Sequence, residues 1–284
     1  MNITTLLDKV YFAPRLKKID FYANRAGELQ HRVLDRLVRM AENTEWGKKY
    51  DYKSIHTYED FRNRLPIQTY EEVKPYVERL RAGEQNLLWP SEIRWFAKSS
   101  GTTNDKSKFL PVSKESLNDT HYQGGKDAVA LYLGQNPDSR FFSGQGLILG
   151  GSHSPNLNSR HGLVGDLSAI LIQNIHPLVN CVRVPSKKIA LMSDFEKKIE
   201  AIANSAISKD VTSLSGVPSW MLVLIKRILE KTGKQSLEEI WPNLEVFFHG
   251  GVAFTPYREQ YKEVIRSPKM HYVETYNASE GYFG

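Results

Sequence analysis

Ten consecutive residues, 99–108, combine side chains that are suited to binding phosphate groups. Their sequence is SSGTTNDKSK, so small and hydroxyl-bearing residues come first, and the lysines Lys106 and Lys108 follow. Small residues let the backbone bend until successive N–H groups point into one hollow, while hydroxyls add donors and lysine adds positive charge. The stretch is not a P-loop, because it lacks the spacing GxxxxGK[ST]. A polyphosphate-binding loop and a solvated surface loop fit these residues equally well.

A second group of polar side chains lies close to residue 284. Residues 276–280 read YNASE, and they follow a segment, 270–275, whose residues predict a strand. At the end of a strand, Glu280 is a carboxylate of the kind that holds Mg²⁺ beside substrate phosphates. Tyr276 is able to lie against a base, and Ser279 to hydrogen-bond a phosphate or a sugar. An arbitrary Tyr and Glu at such positions are more often a core residue and a solvated charge, so this group alone assigns no site.

Alternating strands and helices are expected to position these residues. From about residue 144 onward, short apolar segments that end in small residues alternate with helical patterns. This alternation predicts an α/β fold with a mixed, mostly parallel sheet flanked by helices. Because ligands bind beyond the carboxyl ends of parallel strands, the residues that follow each strand are candidates for a site. The predicted strand ends are 150–151, 215–216, 249–251 and 276–280.

The residues before this region predict mainly helices. Residues 1–27 read as a short helix followed by an irregular stretch, and apolar residues at helical spacing predict a helix over 28–42. Thr69 and Glu72 fit a capping box, which predicts a helix that begins there and stops at Gly83. After this helix, segments 93–97 and 109–112 predict two strands of a hairpin, with the loop 99–108 at its tip.

Composition narrows the possible classes of protein. The 284 residues are 40% hydrophobic and 25% charged with a net charge of +6, as in an ordinary globular protein, and acidic residues are scattered among the basic ones. No arginine-rich arm or aromatic RNA-binding motif is present, and no apolar run approaches the length of a membrane span, so we expect neither nucleic acid nor membrane as a partner. The single cysteine, Cys181, excludes an internal disulfide. With no signal peptide recognisable, these features predict a cytoplasmic protein.

Taken together, the motifs resemble those of acyl-adenylate-forming enzymes, and more closely those of the auxin-responsive family of acyl acid–amido synthetases. The resemblance is carried, in chain order, by TYEDF at 57–61, PI at 66–67, the loop 99–108 with Pro111, VPSW at 217–220, GG at 250–251 and residues 276–284. It implies that residues 1–284 are part of a large N-terminal adenylate-forming domain. Within that domain we expect a helical region, 1–90, and a nucleotide-binding α/β region, 91–284.

The resemblance also implies a reaction in two steps. The carboxylate of a small acid attacks the α-phosphorus of ATP, which gives an acyl-adenylate and pyrophosphate. The amine of an amino acid then attacks the acyl carbon and releases AMP. The first step requires that two anions are held together and that the charge on the phosphates is offset. The implied cofactors are therefore ATP and Mg²⁺, and the implied partners are a small carboxylic acid and an amino acid.

Residue by residue, the resemblance assigns three roles. Catalytic roles fall to Lys108, the loop lysine, and to Glu280, which is also the expected ligand of Mg²⁺. Val217, Pro218 and Ser219 are expected near the acid. The residues expected to contact the nucleotide are Ser99, Ser100, Gly101, Thr102, Thr103, Gly250, Gly251, Val252, Tyr276, Asn277, Ala278, Ser279, Glu280 and Gly281.

The sequence departs from the family pattern in two places. Asp105 stands where many members have glycine, and an acid beside phosphates is unfavourable unless it faces solvent, Lys106 or the metal. Family members also continue past the YNASE motif into a ribose-binding aspartate and a mobile C-terminal domain, so we expect this chain to be a part of a longer protein, with that domain absent. An acyl-CoA ligase of the same superfamily and a non-catalytic nucleotide-binding fragment are the alternative hypotheses.

Overall fold

The computed structural model describes residues 3–99 and 108–283. The chain divides into two compact units, each built from separate stretches of sequence. The first unit contains Met1–Leu16, Thr120–His153 and Asp166–Gly284, and the second contains Lys17–Asp119 and Ser154–Gly165.

From about residue 144 onward, strands and helices alternate, as the sequence predicts. The α-helices are α1 Ile3–Leu7, α2 Ala13–Asn24, α3 Ala26–Ala41, α4 Glu45–Lys49, α5 Tyr58–Arg64, α6 Tyr70–Ala82, α7 Gln123–Gln135, α8 Leu167–Asn174, α9 Lys187–Ala190, α10 Phe195–Ala206, α11 Pro218–Thr232 and α12 Arg258–Val264. The strands are β1 Trp95–Ser99, β2 Lys108–Val112, β3 Gln145–Leu149, β4 Leu163–Gly165, β5 Arg183–Val184, β6 Val211–Gly216, β7 Val246–Gly250, β8 His271–Thr275, β9 Asn277–Ala278 and β10 Gly281–Tyr282. Two π-helical segments, Asp8–Phe12 and Ser116–Tyr122, precede α2 and α7.

The first unit is organised around a five-stranded sheet with the order β5-β3-β6-β7-β8. Every neighbouring pair in this sheet is parallel, which confirms the predicted topology. Side chains of a strand alternate between the two faces. Phe247 therefore packs into the core formed with α10, α11 and α12, whereas Val246 and Phe248 pack with Tyr132 of α7 on the other face. Helices cover both faces, as a parallel sheet requires.

The second unit contains a smaller sheet with the order β2-β1-β4. β1 and β2 are antiparallel, which confirms the predicted hairpin strands, and β4 joins β1 in parallel. The helix α6 begins at the predicted capping box, where the Glu72 carboxylate accepts a hydrogen bond from the Thr69 N–H at 2.6 Å. It stops at Gly83, whose φ of 109° lies in the left-handed region that glycine adopts without strain.

One prediction for the N-terminal residues is wrong. The expected irregular stretch within residues 1–27 is helical, because a π-helical segment leads into α2, which runs to Asn24. Pro14, the second residue of α2, is compatible with a helix that starts there, since the first N–H groups of a helix have no partner within it. Within residues 3–99 and 108–283, no helix is both long and apolar enough to span a membrane.

Candidate functional site

The register of the five-stranded sheet brings the predicted strand ends to one edge. Leu149 of β3 lies opposite Gly216 of β6, and Gly216 lies opposite His249 of β7. Gly250 lies opposite Thr275, the last residue of β8. The residues that follow β3, β6, β7 and β8 therefore share the carboxyl edge of this sheet, where ligands of parallel sheets bind.

Two glycines after β7 occupy positions where a side chain is not accommodated. A Cβ atom on Gly250 would lie 2.1 Å from the carbonyl oxygen of Thr275, which belongs to the neighbouring strand. Gly251 has a φ of 84°, in the left-handed region, and a Cβ there would lie 3.2 Å from the Val217 side chain. The backbone of 250–251 is thus fixed directly beside the turn 217–219, so residues predicted to contact the nucleotide and the acid are neighbours.

Helix geometry and a buried tyrosine stabilise the turn 217–219. Val217 is the N-cap of α11, and Pro218 occupies the first helical position, where its missing N–H costs nothing. The buried hydroxyl of Tyr261 donates a hydrogen bond to the Pro218 carbonyl oxygen at 2.8 Å. Burial raises the pKa of the Tyr261 hydroxyl, so it stays protonated and remains a donor. Ser219 is half-buried at the start of the helix.

A tight hairpin carries the second predicted nucleotide motif. β9 and β10 pair antiparallel through Ala278 and Gly281, which leaves Ser279 and Glu280 in the turn between them. Tyr276 is 61% exposed, and its ring contacts that of Phe283 with the centroids 5.3 Å apart. Tyr276 is therefore not a core residue. The Glu280 carboxylate is exposed, and within residues 3–99 and 108–283 no hydrogen bond or ion pair engages it.

A histidine that the sequence did not indicate contacts this hairpin. His121 is 2% exposed, and its Nδ1 atom lies 2.7 Å from Oδ1 of Asn277. Burial lowers the pKa of His121, and the hydrogen bond to Asn277 opposes this effect. The imidazole is consequently neutral near pH 7.

A buried lysine, also missed by the sequence reasoning, supports the end of β3. Lys198 of α10 is 3% exposed, and its Nζ atom donates hydrogen bonds to the carbonyl oxygens of Gly150 and Gly151, both at 2.8 Å. Burial lowers the pKa of Lys198 to about 8, although the nearby carboxylate of Asp166 acts in the opposite direction. Asp166 accepts a hydrogen bond from the Ser152 N–H at 2.8 Å. Together these two side chains hold the backbone of residues 150–152.

A cavity of about 470 Å³ lies beside β7 and β8. His249, which is 3% exposed, lines it and stacks on Phe254 with the ring centroids 4.3 Å apart. The Nδ1 atom of His249 is buried and has no hydrogen-bond partner in the part of the chain that the structure describes. Burial lowers the pKa of His249, and Glu274, which also lines the cavity, opposes the shift. The cavity carries charges of both signs, since Arg258 belongs to its wall.

The loop 99–108 is described only at its two ends. Ser99 ends β1 and pairs with Lys108 at the start of β2. The Lys108 Nζ atom lies 5.6 Å from the centre of the Tyr70 ring, and the Tyr70 hydroxyl accepts a hydrogen bond from the Phe109 N–H. The predicted phosphate-binding residues Ser100, Gly101, Thr102 and Thr103, with Asp105 and Lys106, lie outside the described residues.

The sequence profile of the GH3 family N-terminal domain matches residues 15–270. The chain belongs to the GH3 family. This match confirms the family resemblance recognised from the motifs. It extends over the loop 99–108, the turn 217–219 and the glycines 250–251, and it ends before the hairpin formed by β9 and β10.

GH3 proteins of known activity are similar to part of this chain. A segment of 103 residues is 30% identical to the indole-3-acetic acid-amido synthetase GH3.2 of Arabidopsis thaliana, and it covers 36% of this chain and 19% of that protein. Among solved structures, a GH3.15 acyl acid amido synthetase superposes with a TM-score of 0.73 at 17% identity. The superposition covers 95% of this chain and 56% of that one, so the chain spans about half the length of this GH3 relative.

A more distant structure shares the fold of this GH3 chain. It is a 2-hydroxyisobutyryl-CoA ligase in complex with 2-HIB-AMP and CoA, with a TM-score of 0.50 at 12% identity. The superposition covers 87% of this chain and 53% of the ligase. Together with the GH3.15 structure, it confirms the predicted α/β fold, in which helices flank a mostly parallel sheet.

Proposed function

We propose that this chain carries the adenylate-forming part of an acyl acid–amido synthetase, and that residues 1–284 are part of its N-terminal domain. The observation that carries the proposal is the match of residues 15–270 to the GH3 family N-terminal domain. The first step joins the carboxylate oxygen of a small acid to the α-phosphorus of ATP, and pyrophosphate leaves. In the second step an amino acid amine forms the amide bond, and AMP leaves.

The geometry at the carboxyl edge of the sheet supports the first step. The close approach of Gly251 to Val217 keeps the backbone of 250–252 beside the turn 217–219. In our proposal, Gly250, Gly251 and Val252 contact the nucleotide while Val217, Pro218 and Ser219 contact the acid. This arrangement would hold the two reacting groups in a fixed relation, which is the main requirement of a displacement at phosphorus.

The remaining predicted roles belong to the same proposal. Ser99, Ser100, Gly101, Thr102 and Thr103 contact the β- and γ-phosphates, and Lys108 offsets their charge. Tyr276 lies against the base, and the hairpin residues Asn277, Ala278, Ser279 and Gly281 line the nucleotide.

Glu280 fits the role of a metal ligand. Its carboxylate is exposed in a turn, and within the described residues no cation of the protein engages it. Mg²⁺ prefers one or two carboxylates together with substrate phosphates. Bound there, Mg²⁺ would neutralise charge on the phosphates.

The test is acid-dependent exchange of labelled pyrophosphate into ATP, with indole-3-acetic acid and other small acids as substrates. We expect exchange that depends on both the acid and Mg²⁺. Glu280→Gln should abolish it, whereas Glu263→Gln, which changes another exposed carboxylate, should leave it unchanged. Exchange that persists in Glu280→Gln would remove the metal-binding role from Glu280.

The nature of the acceptor is tested separately. The similarity in fold to a CoA ligase keeps thiol transfer as the second candidate function. Incubation of the acyl-adenylate with a panel of amino acids or with coenzyme A distinguishes the two, and we expect amide products only. If ATP–Mg²⁺ at saturation leaves the melting temperature unchanged and no exchange occurs, the chain is a non-catalytic fragment instead. The cytoplasmic location stays a prediction from the cysteine content.

A further inference from the structure

His121 and Asn277 are 156 residues apart in sequence, yet they share a hydrogen bond of 2.7 Å. His121 lies in the π-helical segment Ser116–Tyr122 that leads into α7. Such segments insert an extra residue into a helix, rotate the following side chains and often occur at functional sites. Asn277 begins the hairpin whose turn holds Ser279 and Glu280. The π-helical segment therefore directs an imidazole onto the first residue of this hairpin.

The hydrogen bond fixes the protonation pattern of the His121 ring. Since the Asn277 Oδ1 atom is an acceptor, the proton lies on Nδ1, and Nε2 carries a lone pair. Nε2 is buried and has no hydrogen-bond partner within residues 3–99 and 108–283. A buried polar atom that is left without a partner costs free energy, so an apolar side chain of similar size would be the more stable choice at position 121 if packing alone mattered.

Helix α7, which follows this π-helical segment directly, contacts the other end of the hairpin. A Cβ atom on Gly124 would lie 2.3 Å from Cγ of Tyr282, so the Tyr282 ring is packed against the backbone of α7. The hairpin is thus held by His121 before its turn and by Gly124 after it. The turn with Ser279 and Glu280 lies between these two points of attachment.

We propose that His121 is a positioning residue, whose Nδ1–H holds Asn277 and thereby sets the backbone of the hairpin for nucleotide binding. The proposal rests on the proposed function, because it takes residues 276–281 as the nucleotide motif. His121 acts through Asn277 and does not itself react. The ligand that the hairpin would bind is a nucleoside triphosphate with its divalent cation.

Two variants of His121 test the roles of the two ring nitrogen atoms separately. In His121→Asn, the side-chain amide N–H takes the place of Nδ1–H and is able to donate to Asn277 Oδ1, while nothing replaces Nε2. In His121→Gln, the longer side chain puts an amide group near the position of Nε2 and leaves Asn277 without its donor. The variants therefore differ in the one contact that the proposal requires.

The first measurement needs no nucleotide. Hydrogen exchange followed by mass spectrometry reports the protection of the peptide 276–283 in the unliganded protein. We expect His121→Gln to raise its exchange rate at least tenfold and His121→Asn to keep it within threefold of the wild type. A peptide from β6, Val211–Gly216, serves as the control, since its exchange rate should be the same in all three proteins. Equal protection of 276–283 in both variants would overturn the proposal.

The second measurement is the affinity for ATP–Mg²⁺ by calorimetry. His121→Gln should weaken binding at least tenfold, and His121→Asn should stay within threefold of the wild type. A stronger loss in His121→Asn than in His121→Gln would overturn the positioning role. If the wild type binds no ATP, the proposed function fails, whereas the exchange measurement still decides whether His121 holds the hairpin.

Discussion

The ammonium group of Lys198 donates a 2.8 Å hydrogen bond to the carbonyl oxygen of Gly151, and it also donates to Gly150 at the same distance. Both glycines are buried and follow the last residue of β3, where a carbonyl no longer has a partner in the sheet. Satisfying two such acceptors stabilises the turn, but burying an ammonium group opposes folding. The lowered pKa of Lys198, about 8, shows that the cost of burial is the larger effect on its protonation.

Replacing this lysine should therefore change stability in a pH-dependent way. In Lys198→Met we expect the free energy of unfolding at pH 7 to fall by less than about 2 kcal/mol. Two carbonyl oxygens lose their hydrogen-bond donor, but the removal of a buried charge offsets this cost. An unfolded lysine binds its proton up to pH 10.5, whereas the folded one releases it near pH 8, so wild-type stability rises with pH in this range. The free energy of unfolding of the wild type should therefore rise by about 2 kcal/mol relative to that of Lys198→Met from pH 7 to pH 9.5.

Urea unfolding at several pH values measures this difference. Lys197→Met is the matched control, since Lys197 is the neighbouring lysine of the same helix and is exposed. A difference between wild type and Lys198→Met that is flat with pH would contradict the expectation.

Gly250 should not tolerate any side chain. In Gly250→Ala the new Cβ would meet the Thr275 carbonyl oxygen at 2.1 Å, and neither backbone is free to move within the paired strands β7 and β8. We expect a loss of about 3 kcal/mol or failure to fold. Gly125→Ala should instead raise stability by about 0.5–1 kcal/mol, because its Cβ meets nothing within 4 Å and alanine favours a helix. Similar melting temperatures for the two variants would count against this account.

Tyr261 should stabilise the turn at the start of α11 through its hydroxyl. Tyr261→Phe keeps the packing but leaves the buried Pro218 carbonyl without its donor, and we expect a loss of about 1–2 kcal/mol in the free energy of unfolding. Tyr257→Phe, at a half-buried position nearby, should change stability by less than about 0.5 kcal/mol. Equal effects of the two substitutions, measured by chemical denaturation, would show that the hydrogen bond adds nothing.

Tyr276 should affect binding far more than stability. Because the ring is mostly exposed, Tyr276→Ala should change the free energy of unfolding by less than about 0.5 kcal/mol. If the ring stacks on the base of ATP, the same variant should bind ATP–Mg²⁺ about tenfold more weakly, while Tyr276→Phe retains the wild-type affinity. Unchanged ATP affinity in Tyr276→Ala would remove Tyr276 from the nucleotide site.

Local signals explain why much of the fold was predictable. Thr69 and Glu72 specify the start of α6 through their own hydrogen bonds, and Gly83 specifies its end through its backbone conformation. Short apolar segments followed by glycine specify β3, β6 and β7, and parallel pairing then brings their ends together. In each case the physical cause lies within a few residues of the pattern that reveals it.

The residues that sequence reasoning missed depend on distant partners. Lys198 lies in the charged run EKKIE, which reads as a solvated surface, yet it is on the same helical face as the buried Ile202, one turn later. That spacing was the available signal. His121 gave no such signal, because its partner Asn277 is remote in sequence. The direction of its side chain also depends on a π-helical segment, which local sequence patterns do not reveal.

The strand order of the large sheet has a consequence for the way the protein is made. β6 pairs with β3, and β7 and β8 then each pair with the strand that precedes them in the sheet. During synthesis, each strand after β6 would therefore find the edge of the preceding strand already present, and the helix before it would cover one face of the sheet. From β6 onward the sheet is therefore able to grow in one direction, towards β8. Growth in this order would add the candidate site residues to its carboxyl edge in chain order: the 217–219 turn, then 250–252, then the hairpin after β8.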